Sequence, residues 1–259
     1  MNQTIAFIGA GNMAEALIRG LLAGKVVTAD RIIAHDIRPD RLEELRKTFG
    51  IRTGKPDADD IILAVKPQQM SAALAQVPRG RLFISIAAGI TTGRIEKELG
   101  GEPRVVRVMP NTPALVGAGA AGVCRGRFAT EADLATAETI LGAVGIVVRV
   151  EESLMDAVTA VSGSGPAYIY YVAEAMIAAG IEAGLSEPVA RKLTVQTILG
   201  AGKLLAESGE TPVELRRKVT SPGGTTEAAL KVLTDRQLQG IFVEAIAAAK
   251  RRGAELAGT

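Results

Sequence analysis

The spacing of apolar positions changes character partway along this chain. Short apolar runs rich in Val and Ile stand at residues 4–8, 31–35, 61–65, 82–86, 104–108 and 146–150, with a further candidate at 120–123. Most are almost wholly apolar, which predicts strands buried on both faces rather than a half-solvated sheet. Segments at 13–23, 39–49, 91–99 and 131–141 lie between them and carry helical patterning. Strand and helix in alternation predict an α/β fold, a Rossmann-like doubly wound parallel sheet covered by helices. After about Ser153 the strand signal stops, and the remainder, rich in Ala, Leu and Glu, predicts helices throughout. Gly184 closes one of these helices and Ser186-Glu187-Pro188 opens the next. Thr211-Pro212-Val213-Glu214 spells a capping box with proline at the first helical position. The expected domains are residues 1–152 and an all-helical 153–259.

The helical half is dense in small residues, as in EAMIAAGIEAG and VEAIAAAKRRGAELAG. Helices so poor in large side chains build a thin core alone, and sharing that core with a second copy is the remedy expected here. A homodimer at least is therefore predicted. Charge narrows the partners: the net charge of +2 is spread along the chain with no basic block, so neither nucleic acid nor a membrane surface is expected. The apolar runs break before the ~18 residues a membrane helix needs. The opening MNQTIAFIGAG lacks the features of a signal peptide, so a cytoplasmic protein is expected. A single cysteine, Cys124, and a single histidine, His35, exclude an internal disulfide and a metal site built from Cys and His ligands; no metal is expected.

The chemistry begins at Gly9-Ala10-Gly11-Asn12-Met13-Ala14, between the first strand and the first helix. In such a loop the first glycine makes the turn, and the second lets backbone approach a pyrophosphate. A small residue in the third place permits close helix packing, and the helix start offers free N–H groups. A G-x-G-x-x-A string is weak alone and strong in this setting. Asp36 follows the second strand, where a ribose-reading group belongs. Its carboxylate suits the hydroxyls of NADH and would repel the 2′-phosphate of NADPH, while Arg38 could offset that repulsion. NADPH or NADH therefore stays open. His35 falls on the adenosine side, away from any reacting centre. Three later strand ends add candidates: Ala64, Val65, Lys66 and Pro67; Ala87, Ala88 and Gly89; and Asn111 in Met109-Pro110-Asn111-Thr112-Pro113, which could orient a carboxamide or hold its own loop.

Two glycine-rich segments stand in the helical half: Ser162-Gly163-Ser164-Gly165-Pro166-Ala167-Tyr168, expected between two helices, and Thr220-Ser221-Pro222-Gly223-Gly224-Thr225-Thr226-Glu227. The second offers backbone N–H groups at a helix start, a receptor for a carboxylate, and two hydroxyls. On spacing alone it could equally be an N-capping turn. The strings IGAGNMAEALIRGL, AVKPQ, SIAAGI, RVMPNTP, DAVTAVSGSGPAYIY and VTSPGGTTEAALKVL, in this order, resemble the pyrroline-5-carboxylate reductases over essentially the whole chain.

That resemblance implies a dinucleotide domain followed by a helical domain interlocked with a partner chain. It implies an active site shared between the dinucleotide domain of one protomer and helices of its neighbour, and the family often assembles five dimers into a decamer. The expected substrate is a small cyclic imino acid, reduced by NADPH or NADH to proline. Thr226 is implied at the substrate imine, and the peptide groups of Ser221, Gly223, Gly224 and Thr225 at its carboxylate. Gly9 to Met13, Ala64 to Pro67 and Ala87 to Gly89 are implied on the cofactor side. Residues 54–59 form a shorter segment than in many relatives, and Asp36 departs from the family's phosphate-binding patterns. A β-hydroxyacid dehydrogenase with a catalytic lysine (Lys192, Lys203 or Lys218 by residue type) and a nucleotide-sensing protein are the alternative readings.

Overall fold

A computed structural model describes residues 1–256. Its contacts divide the chain into two compact units, Met1–Pro166 with the segment from Ala248 onward, and Ala167–Ala247.

The first unit is built on an eight-stranded sheet in the order β3-β2-β1-β4-β5-β6-β7-β8. The strands are β1 Ile5–Ile8, β2 Ile32–His35, β3 Arg52–Thr53, β4 Asp60–Leu63, β5 Leu82–Ser85, β6 Arg104–Met109, β7 Gly119–Arg125 and β8 Gly145–Arg149. Chain order reverses on either side of β1, which is the doubly wound pattern and places a crevice between β1 and β4. Every residue of β1, β4 and β5 is buried, as their apolar runs require, with Asp60 and Ser85 buried at the ends of β4 and β5. Alternate side chains feed two cores. Phe7, Ile62 and Ile84 pack with Leu17, Ile18 and Leu21 of α1 (Asn12–Ala23) and with Leu45 of α2 (Pro39–Phe49). Ile61, Leu63 and Phe83 pack on the opposite face with Leu74 of α3 (Met70–Leu74) and with Ile95 and Leu99 of α4 (Thr92–Leu99). Each fully buried side chain of this size contributes about 1.5–3 kcal/mol by leaving water.

Parallel pairing fails at one place. β6 and β7 are antiparallel, Val106 opposite Arg125 and Met109 opposite Gly122. The connection between them, residues 110–118, is nine residues long. A parallel crossover needs at least ~10–12, so the chain turns back on itself. From β7 to β8 the chain passes through α5 (Glu131–Gly142) and parallel pairing resumes.

Beyond β8, α6 (Met155–Val158) runs into a π-helical turn, Thr159–Gly163, and then into α7 (Gly165–Glu182). The Ser162–Tyr168 segment is therefore not a loop between helices, as expected, but a widened turn inside a nearly continuous one. The Ser164 amide reaches the carbonyl of Thr159 at 2.8 Å, five residues back.

The second unit, Ala167–Ala247, holds most of α7, then α8 (Glu187–Glu207), α9 (Pro212–Lys218), α10 (Thr225–Asp235) and the first part of α11 (Leu238–Leu256). Both expected helix starts are present: Ser186 stands at the N-cap of α8, and Thr211 and Glu214 exchange both bonds of a capping box. Small residues bring α7 and α8 together, since a Cβ on Gly180 would lie 3.2 Å from that of Ala190. Among the described residues of this unit only Ala190 and Thr194 are buried, while Tyr171, Leu199, Val232 and Val243 stand exposed.

Candidate functional site

The strand register gathers the predicted cofactor residues at one edge of the sheet. Ile8 pairs with His35 on one side and Leu63 on the other, and Leu63 pairs with Ser85. The Gly9–Met13 loop, Asp36 to Arg38, Ala64 to Pro67 and Ala87 to Gly89 all follow directly from these carboxyl ends. Gly9 has φ +95, and its N–H donates to the His35 carbonyl at 2.8 Å. Gly11 is the N-cap of α1, in extended backbone, and a Cβ there would meet nothing within 4 Å. Ala14 is fully buried. Among the described residues the amides of Gly11, Asn12 and Met13 have no partner, so the positive end of α1 opens into free space.

Asp36 and Arg38 are paired. The Asp36 carboxylate accepts from the Ala10 amide at 2.7 Å, the Arg38 amide at 3.0 Å and the Arg38 guanidinium at 3.1 and 3.3 Å. Burial opposes its ionisation, but these hydrogen bonds outweigh burial and hold its pKa below the usual carboxylate value. Only 9% of the Asp36 side chain is exposed, against 54% for Arg38. The acid faces inward to the loop and the guanidinium faces water. Ile37 between them is 82% exposed. The His35 ring is held by its nitrogens on the Gly54 carbonyl at 3.0 Å and the Gln76 side-chain oxygen at 3.1 Å. Lys66 is exposed, with no ion-pair partner among the described residues.

Sequence reasoning missed the residue behind the loop. Arg41, on α2, donates Nε–H to the Ala10 carbonyl at 2.8 Å and also pairs with Glu15 on α1 and Glu44. Its side chain is only 12% exposed. In PDRLEELRK nothing marks this arginine from its neighbours, because helical charge runs normally face solvent.

Of the two roles open to Asn111, the geometry supplies loop holding. Its side-chain amide donates to the Ser162 carbonyl at 3.2 Å and hydroxyl at 3.3 Å, and its oxygen accepts from the Ala120 amide at 2.9 Å.

In the second unit, Gly224 is the N-cap of α10 and Gly223 turns at φ +69. Two of the four predicted carboxylate-binding amides have internal partners: Gly223 donates to the Glu227 carboxylate at 2.8 Å and Gly224 to the Ser221 carbonyl at 3.0 Å. Among the described residues the Ser221 and Thr225 amides and the hydroxyls of Thr225 and Thr226 have no partner. A carboxylate already rests on the Gly223 amide, and it comes from the chain itself.

Strand order, a switch point at β1, an open glycine turn and an inward acid define a Rossmann-type dinucleotide-binding protein extended by a helical unit. Residues 4–89 match the family described as NADP oxidoreductase, coenzyme F420-dependent, and residues 152–256 the family described as pyrroline-5-carboxylate reductase dimerisation. The chain is 42% identical to a pyrroline-5-carboxylate reductase of Synechocystis over 99% of both sequences. It belongs to the pyrroline-5-carboxylate reductase family. Among solved structures, a pyrroline-5-carboxylate reductase from Coxiella burnetii superposes with a TM-score of 0.94 at 40% identity, covering 99% of each chain. The pyrroline carboxylate reductase of Plasmodium falciparum, solved with NADP bound, superposes at 0.86 with 29% identity, covering 99% of this chain and 98% of that one.

Proposed function

We propose that this chain reduces L-1-pyrroline-5-carboxylate to L-proline with NAD(P)H, the last step of proline biosynthesis. The observation that carries it is the 42% identity, over 99% of the chain, to an enzyme of that name, with both the glycine loop and the SPGGTT turn present. The groups at the first turn fit a dinucleotide. Gly11 leaves the space a side chain would fill, three neighbouring amides are unspent, and Lys66 supplies a nearby cation. When bound, NAD(P)H supplies a hydride. The chain's residues need only hold, align and dry the reactants. A cyclic imine is basic enough to carry its own proton near neutral pH. Hydride adds to the imine carbon, the C=N π pair moves to nitrogen, and a secondary amine results without a strong protein acid. That suits a chain whose lone thiol, Cys124, is pushed up to about 12 by burial and by the nearby Glu152 charge.

We assign the pyrophosphate to the Gly9–Met13 loop through its free Gly11, Asn12 and Met13 amides, the adenosine ribose to Asp36 and Arg38, and the nicotinamide half to Ala64–Pro67 and Ala87–Gly89. The substrate carboxylate falls to the turn of Ser221, Gly223, Gly224 and Thr225, through the free Ser221 and Thr225 amides and the Gly223 amide, where Glu227 gives way. The Thr226 hydroxyl orients the imine nitrogen. Residues 1–152 then act as the dinucleotide domain and 153–259 as the substrate and dimerisation domain. The protein is a homo-oligomer, and the exposed apolar side chains of α7, α8, α10 and α11 suit a homodimer that five-fold assembly would extend to a decamer. No described helix is long and apolar enough to cross a membrane, and we place the enzyme in the cytoplasm.

The reading is tested by following NADH and NADPH oxidation with pyrroline-5-carboxylate as substrate; no turnover with either would end it. Because Asp36 is neutralised by Arg38, both cofactors should be used, with kcat/KM values within about tenfold, or 1.4 kcal/mol. A ratio above a hundredfold would show that one member of the pair dominates. Thr226→Ala should lower kcat/KM by ~10- to 100-fold, the scale of one lost orienting hydrogen bond. Unchanged kinetics would remove Thr226 from the mechanism.

A further inference from the structure

We propose that Arg41 is a positioning residue for the cofactor: it fixes the peptide plane between Ala10 and Gly11 so that the Gly11 amide points at the bound pyrophosphate. The inference rests on the dinucleotide reading of the glycine loop. It starts from two hydrogen bonds on adjacent peptide groups. The Asp36 carboxylate takes the Ala10 N–H at 2.7 Å, and Arg41 Nε–H donates to the Ala10 carbonyl at 2.8 Å. The Ala10–Gly11 peptide is trans, so its carbonyl and its N–H point in opposite directions. Pinning the carbonyl to Arg41 therefore turns the Gly11 N–H the other way. On that side the amide meets no protein partner, and the missing glycine side chain leaves open space.

The guanidinium is itself held. Glu15 takes Nη2 and Glu44 takes Nη1 at 2.7 Å, so all three nitrogens of the fork are used. Glu15 lies on α1, whose first turn supplies the Asn12 and Met13 amides, while Arg41 and Glu44 lie on α2. The clasp thus joins the loop carbonyl, the phosphate-facing helix and the next helix through one planar group. A lysine in this place has the charge but not the fork, and cannot serve three acceptors in fixed directions. Arg41 itself is spent on these partners and does not need to touch the ligand. Arg38, half-exposed and bonded to Asp36, is the solvent-facing guanidinium at this end of the site.

A role in aiming the pyrophosphate amide affects the two cofactors alike, because they differ only at the 2′-position. A direct contact with the 2′-phosphate affects NADPH alone. The experiment titrates NADH and NADPH into the wild type, Arg41→Met and Arg41→Lys, reading nicotinamide fluorescence, with circular dichroism melts to confirm folding. Arg41→Met should weaken both cofactors by ~10-fold while kcat at saturating cofactor stays within about twofold, since no reacting group has moved. Arg41→Lys should recover less than half of that loss on a logarithmic scale. A loss confined to NADPH, unchanged binding by a folded Arg41→Met, full rescue by lysine, or unfolding of both variants would each overturn the assignment. Failure of the wild type to bind either cofactor would instead remove the dinucleotide reading itself.

Discussion

Gly9→Ala is expected to abolish measurable binding of NADH and NADPH and to lower stability by about 3 kcal/mol, the combined scale of a strained backbone and an overpacked contact. Gly9 lies at φ +95, where a side chain is strained whatever the space around it. Space is also missing, because a Cβ would sit 2.5 Å from the Ala64 carbonyl oxygen and 2.8 Å from its carbon. These are backbone atoms at the end of β4, held in place by the Ala64 amide on the Ile8 carbonyl at 2.8 Å. The loop must therefore move, and the Gly11 amide moves with it. Gly11→Ala is the control. It has no steric conflict within the chain, so its melting temperature should match the wild type, while cofactor affinity falls because the added methyl occupies the ligand's approach. Thermal melts paired with fluorescence titrations separate the two variants. A Gly9→Ala protein that binds as tightly as Gly11→Ala would show that the loop tolerates displacement and that its fixed geometry is unimportant.

How far the chain could be read in advance follows from how each feature is encoded. Strands β1, β4 and β5 announced themselves because burial on both faces demands an unbroken apolar run, and the glycine spacing then fixed the loop that follows β1. The capping box at Thr211 was legible because its chemistry is local. β3, two exposed residues long, and α3, five residues long, are too short to show any period. The antiparallel turn into β7 was hidden for another reason, since loop length sets direction only once both strand ends are known. At the site, residue types were legible but their partners were not. The place of Asp36 after β2 was legible, but not that its carboxylate also takes the Ala10 amide and Arg38. Gly223 was expected to present a free amide, yet Glu227, four residues on, already fills it. Arg41 gave no signal because its acceptor, a backbone carbonyl 31 residues away, appears only when α2 packs beside the loop.

The same limit applies to charge, and it leads to the largest predicted gain in stability. Asp60 opens β4, between Ile5 of β1 and Leu82 of β5, in a row of buried apolar residues. It is 5% exposed, and its Oδ2 has no hydrogen-bond partner among the described residues. Burial pushes its pKa up to about 6 and the neighbouring Asp59 adds to the rise. Arg104 pulls the other way, but its guanidinium is committed to Asp133 at 2.6 Å. A carboxyl group whose folded pKa lies above its unfolded value, 3.8, binds its proton more tightly when folded. Its contribution to stability is therefore fully present below pH 4, is lost as pH rises from about 4 to 6, and stays lost above. A shift of about two units is worth about 3 kcal/mol at most, and about 2 kcal/mol once screening by water is allowed for. Asp60→Asn keeps the shape and removes the charge. It should raise the melting temperature by several degrees at pH 8 and leave it nearly unchanged at pH 4, where the native acid is already neutral. Melts of both proteins from pH 4 to 8 decide the matter: a difference that does not grow through that window, or an asparagine variant less stable at pH 8, would mean that the buried carboxylate is better solvated than its surroundings indicate.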